Sequence, residues 1–224
     1  MAVSGFAQAK AVLEKDLRAE LRNRAALNAI FLFAITALVV VGLALGPGQI
    51  HPVFKGALLW VVLFFAAFSG LAHVFLHEEE TNTALALRLC ALPGAVYAGK
   101  LAFNLLLLTG VAVVVVPLFM LMLDVHIVRP VEFIVTLIGG CLGLGSAATI
   151  VGAIIAKAHG KGALYGALGF PILLPLLVIA VDATRLSLTT LPAEGLRNDL
   201  IGLAAFTVML VTISALLFPY VWED

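Results

Sequence analysis

Charge is what this chain has least of. Only 12% of its 224 residues are charged and 63% are hydrophobic, giving a mean hydropathy of +1.17. A soluble domain carries about 25% charged residues, so this composition belongs to a multi-pass membrane protein. Thirteen basic and thirteen acidic residues cancel, which leaves no net field to attract nucleic acid or an acidic substrate. Cysteine is nearly absent. Cys90 and Cys141 stand far apart with no CxxC or CxxCH spacing, which argues against a disulfide framework or a thiolate metal site. Tryptophan is equally scarce, with Trp60 and Trp222 alone, so no aromatic-rich segment exists to cradle a porphyrin.

Catalytic patterns are missing too. A phosphate-binding loop needs GxxxxGK[ST], but in the single "HGKG" at 159–162 the first-glycine position is held by Ile155. No HExxH and no nucleophile elbow occurs, so the chain reads as a non-enzyme without catalytic, cofactor-binding or metal-ligating residues. His73, His77 and His159 fall near one membrane face and His51 and His126 near the other. Each reads as an ordinary polar residue and not as a haem ligand. No apolar stretch carries Asp, Glu, Lys or Arg in its middle, which argues against the buried relay of a proton-coupled carrier.

What the chain does have is length of apolar run. A helix needs about 20 apolar residues to cross the hydrocarbon core, and six stretches qualify: Ala25–Gly46, Val53–Leu76, Leu101–Leu123, Val131–Ala156, Ala163–Val181 and Leu200–Trp222. The first lacks a small-residue cleavage pattern and is read as a retained span. Nine basic residues lie on the side of the N-terminus and four on the other. The positive-inside rule therefore puts both termini in the cytoplasm. Residues 1–24 precede the first span as an amphipathic segment, with Phe6, Leu13, Leu17 and Leu21 on one helical face and Glu14–Arg18 and Glu20–Arg24 at i,i+4. They predict a helix lying on the membrane surface. Residues 25–224 form the transmembrane domain.

Two features suggest packing. "GGCLGLGSAA" sets Gly139 and Gly143 four apart, which permits close helix approach. "GFPILLPL" puts Pro171 and Pro175 in one span and predicts a bend. The loop of residues 77–100, "HEEETNTALALRLCALPGAVYAGK", is the least ordinary segment. Thr81, Asn82 or Thr83 would cap a short helix with Glu78, Glu79 and Glu80 at its positive end, and Pro93 would stop it. Leu85, Leu89 and Leu92 share a face that Arg88 interrupts. Such a helix presents Glu78, Glu79, Glu80, Leu85, Arg88 and Leu89 as a docking surface for a cytoplasmic partner.

These segments also resemble a known family. "LEKDLRAELRNR" before the first span, the whole 77–100 loop, and "GSAATIVGAIIAKAHGKGALYGALGFPILLPLLVIAV" are similar to the B permease of the cytochrome c maturation system, the haem exporter protein B or CcmB family. Where that family tends to carry an acidic–basic pair before the loop, this chain has Ala72-His73. The resemblance implies an all-α membrane protein, a six-helix permease of the ABC-2 exporter type. Its amphipathic N-terminal segment would be an elbow helix and its 77–100 loop would carry a coupling helix. It further implies a separate ATP-binding cassette subunit that hydrolyses ATP, and a haem-handling membrane subunit rich in tryptophan. Haem would be cargo, either exported or released from a chaperone by ATP-driven work. The remaining expectations are contact with membrane lipid, pairing as a homodimer or permease heterodimer, and residence in the bacterial inner membrane. A membrane scaffold for a haem-handling complex, or a permease for another hydrophobic substrate, would share these features.

Overall fold

The computed structural model describes residues 4–22, 24–45, 51–80, 83–157, 163–190 and 194–223. Every regular element among them is an α-helix: α1 (Gly5–Arg22), α2 (Ala25–Leu45), α3 (Pro52–Glu80), α4 (Thr83–Cys90), α5 (Pro93–Met122), α6 (Pro130–Lys157), α7 (Ala163–Ser187) and α8 (Glu194–Glu223). Apart from Gly46, which lies outside the described residues, and Leu123, the C-cap of α5, the six apolar stretches fall within α2, α3, α5, α6, α7 and α8. Among the described residues, α2, α5, α6 and α8 are long and apolar enough to cross a membrane, whereas the apolar part of α3, Pro52–Phe68, is shorter. The chain is therefore an all-α membrane protein, with four candidate spans among the described residues.

Helix α6 is the hub, packed on by α8, α7, α3 and α5. Its small residues make this crowding feasible. A Cβ at Gly143 would lie 2.8 Å from the Leu176 methyls of α7 and 3.3 Å from the Thr207 hydroxyl of α8. A Cβ at Gly140 would collide with the Trp60 indole of α3. The close-approach reading of this glycine run thus holds, with more neighbours than a single GxxxG pair supplies. Helix α7 continues as one α-helix through Pro171 and Pro175.

Polar links at one end of the bundle join the α5–α6 connection to α3 and α7. The Arg129 guanidinium donates to the carbonyls of Leu186 (2.6 Å) and Thr189 (3.0 Å). The Val128 and Arg129 amides donate to Ser187 O at 3.1 and 3.0 Å. Lys55 Nζ reaches Asp124 O at 3.3 Å, and deeper in the bundle Trp60 Nε1 donates to Thr184 Oγ1 at 2.9 Å. The last carbonyls of α5 are capped in the Schellman manner: Val125 N bonds to Met120 O at 3.0 Å. Asp124 takes the left-handed position (φ 46°) that this motif needs, one of the few side chains that tolerate it.

Two expectations about the 77–100 loop change. Pro93 does not merely stop a helix; it opens α5. Leu92 is extended (φ −65°, ψ 140°), the conformation that a following proline favours, and Pro93 occupies the first turn, where its missing N–H costs nothing. Residues 93–100 are therefore the first two turns of a 30-residue helix, eight residues ahead of the expected start at Leu101. Glu78, Glu79 and Glu80 likewise end α3 and do not head α4. Thr83 Oγ1 turns back to the Glu78 carbonyl at 3.4 Å, so its hydroxyl serves the end of α3. Thr81 and Asn82 lie outside the described residues.

Candidate functional site

At the opposite end of the bundle, the end of α3, the short α4 and the start of α5 meet α1. Helix α1 shows three faces. Val12 and Asp16 point inward and are buried, Phe6, Leu17 and Leu21 form an exposed apolar strip, and Glu14 and Arg18 pair at 3.4 Å on the solvent side. The inward face packs on α5 at Gly99. A Cβ there would sit 2.7 Å from Ala9 O and 2.7 Å from Val12 Cβ, so only glycine lets the two backbones approach this closely. Gln8 Oε1 completes the contact by accepting the Leu92 amide at 3.0 Å, a backbone donor just ahead of α5.

Beneath this contact lie four charges from three segments. Lys100 is fully buried, with Nζ 2.7 Å from Glu78 Oε1 and 3.1 Å from Asp16 Oδ2. Lys15 pairs with Asp16 Oδ1 at 3.0 Å and also with Glu78 Oε1. Two ammonium groups thus balance two carboxylates, which satisfies the rule that buried charge must be paired. Burial pushes the Glu78 carboxyl upward, but Lys100 and then Lys15 more than offset this and hold it below its ordinary value. Burial lowers Lys15, yet Asp16 and Glu78 outweigh it and raise the ammonium above its ordinary range. The quartet ties α1 to the end of α3 and the start of α5.

A polar and aromatic layer continues inward from it. Tyr97 Oη and Ser146 Oγ are 2.8 Å apart, and Asn104 Nδ2 donates to Thr149 Oγ1 at 2.5 Å. The Tyr97 ring leans on Phe218 (5.3 Å between centroids), which stacks on Trp222 at 5.6 Å. Arg88 of α4 lies over the Trp222 ring, 5.3 Å from its centroid, a cation–π contact that anchors α4 on the last turns of α8.

The expected docking residues therefore divide. Glu78 is buried and committed to Lys15 and Lys100, so it supports the surface from below and offers no carboxylate to a partner. Arg88 is half-buried against Trp222. Leu89 stands 82% exposed, and Leu92 and Phe6, which line one hollow, are exposed as well. Glu79 and Glu80 belong to the last turn of α3 and Leu85 to α4, but their side chains, like that of His73, lie outside the described residues. An apolar hollow of about 330 Å³ runs between α1 and α4, lined by Ala7, Ala11, Val12, Leu87 and Ala91. The expected Glu20–Arg24 pair does not form. Helix α1 ends at Arg22, which breaks the i,i+4 spacing, and Arg24 Nε donates to Leu21 O at 3.2 Å.

The family model described as CcmB protein matches residues 7–218. That span runs from α1 almost to the end of α8. The chain belongs to the CcmB family. It is a membrane permease component of the haem-exporting ABC system for cytochrome c maturation, as the family's members are. A search of curated proteins found no match. Within this CcmB chain, sequence reasoning missed Lys15 and Lys100 as partners of Glu78, and Asp16 as the second carboxylate they hold, because it treated the basic residues as topology markers. A signal did exist: Val96, Tyr97, Lys100, Phe103, Asn104 and Leu107 recur at the spacing of one helix face. Only a helix starting at Pro93 makes that face visible.

Proposed function

We propose that this CcmB chain is the six-span permease that converts ATP-driven motion of a separate cassette subunit into work on haem, as export or as release from its chaperone. In this reading both termini are cytoplasmic, residues 1–24 are the elbow, residues 25–224 are the permease domain, and α4 is the coupling helix. ATP is hydrolysed on the partner. Neither haem nor ATP is held by a dedicated site in this chain, and the haem-handling membrane subunit supplies the porphyrin platform. A second permease, identical or different, would complete the transporter.

The observation that carries this reading is the exposed apolar surface at α4, where Leu89 and then Leu92 stand open, on a base of buried ion pairs. Exposed apolar surface at the end of a membrane bundle marks an interaction site. A rigid base allows a push on α4 to reach α3, α5 and α1 together. In cells expressing the cassette subunit, Leu89→Asp is expected to abolish its co-purification while membrane insertion persists. Glu79→Lys with Glu80→Lys should weaken it, because rim charges chiefly steer association. Unchanged assembly and ATPase coupling in both variants would reduce α4 to a spacer.

A further inference from the structure

On the flank of the bundle away from α4, the last two turns of α1, the start of α2 and the third to fifth turns of α5 enclose a groove of about 220 Å³. Its walls are hydrocarbon: Leu27 and Phe31 from α2, and Phe103, Leu107 and Gly110 from α5. From Phe103 to Gly110 it follows α5 for about 10 Å. Gly110 forms part of the wall opposite Phe31, and a Cβ there would come into van der Waals contact with that ring at 3.7 Å, so a larger side chain would fill the groove. Leu106, at its lip, is 52% exposed, so the groove opens sideways, where a membrane-spanning chain meets lipid tails.

One residue does not fit a purely apolar groove. Glu20 lines it, and its Oε1 is shut off from solvent without a hydrogen-bond partner among the described residues. An occluded carboxylate oxygen with nothing to bond is costly. Arg24, expected at i+4 to neutralise it, is turned to the Leu21 carbonyl. Glu20 comes from the last turn of α1 and brings the one charge among the described residues that line the groove.

We propose that the groove is a phospholipid site selective for an amine headgroup. An acyl chain lies along Phe103 to Gly110, and a primary ammonium, as in phosphatidylethanolamine, donates to Glu20. A primary ammonium brings three N–H donors to the other oxygen of the Glu20 carboxylate, and a positive charge that offsets the occluded Oε1. A choline head has the charge without donors, and a glycerol head has donors without the charge. Charge-assisted hydrogen bonds are the stronger kind, so the headgroup decides the selectivity and the groove supplies most of the affinity.

The test uses the full-length protein in nanodiscs or mild detergent, with retained lipid counted by native mass spectrometry against phosphatidylethanolamine, phosphatidylcholine and phosphatidylglycerol of equal chain length. Wild type is expected to prefer the ethanolamine lipid by about tenfold, equivalent to ~1.4 kcal/mol. Glu20→Gln should erase that preference while lipid is still retained, and Gly110→Leu should lower retention of all three. Melting curves of both variants report whether the fold persists, and the milder Gly110→Ala replaces Gly110→Leu if it does not. Equal retention of the three lipids by wild type overturns the proposal. So does a preference that survives Glu20→Gln, or a cysteine at Leu106 cross-linking to another helix, which would show protein filling the groove.

Discussion

A single lysine decides how α1 is held. Lys100 is fully buried between Asp16 and Glu78, in the first two turns of an otherwise apolar helix. Removing one partner from a buried charge group leaves the others uncompensated, at a cost of about 3–5 kcal/mol. Lys100→Met is thus expected to lower the melting temperature sharply. Adding Glu78→Leu should recover most of the loss, because the remaining Lys15–Asp16 pair is again balanced. Independent, additive losses would show that the two residues do not act together. The signs of the two shifts also set a pH window. Glu78 is held below its ordinary 4.5, so its contribution is complete above that value and fades as pH falls through the lower folded value. Lys15 is raised above 10.5, so its contribution is complete below that value and fades as pH rises through the folded one. Melting temperature measured against pH should therefore form a plateau between these limits, and Glu78→Gln should flatten its acid edge.

At the scale of elements, close helix approach depends on where glycine stands. Helices α1 and α5 touch through Gly99, where a Cβ would press on the Ala9 carbonyl, a backbone atom with no rotamer to change. Overpacking of this kind costs about 1–3 kcal/mol, and here it falls on one contact. Gly99→Leu is expected to lift α1 from α5 while α5 and α6 stay packed. Cysteines replacing Gln8 and Leu92, whose side-chain oxygen and backbone nitrogen are 3.0 Å apart, offer the readout in a background lacking Cys90 and Cys141. They should cross-link readily in the parent and poorly with Gly99→Leu. Undiminished cross-linking would mean that α1 slides to accommodate the side chain.

At the scale of the molecule, the ends of the bundle differ in kind. One is held by buried ion pairs and a cation–π contact, the other by Arg129, Lys55 and main-chain hydrogen bonds. The nine-to-four split of basic residues predicts that the ion-paired end is cytoplasmic. In sealed cells lacking native cysteines, His126→Cys, on the exposed α5–α6 link, should react with an impermeant thiol reagent. Leu89→Cys should react only after permeabilisation. The reverse pattern would invert the topology.

Sequence alone determined the helical class, the membrane setting, the placement of the apolar runs and the family. All of these rest on local composition and on motifs spread along the chain. It also marked the glycine run of α6, because small residues at fixed spacing announce close contact whatever the partner. It did not reveal that Glu78 turns inward. That depends on Lys100, twenty-two residues away, and on Lys15 and Asp16, which no local pattern links to it. Nor did it show that Pro93 begins a helix, because proline both ends one helix and suits the first turn of the next. Tertiary structure decided these points, since a buried charge takes its meaning from the oppositely charged groups packed around it.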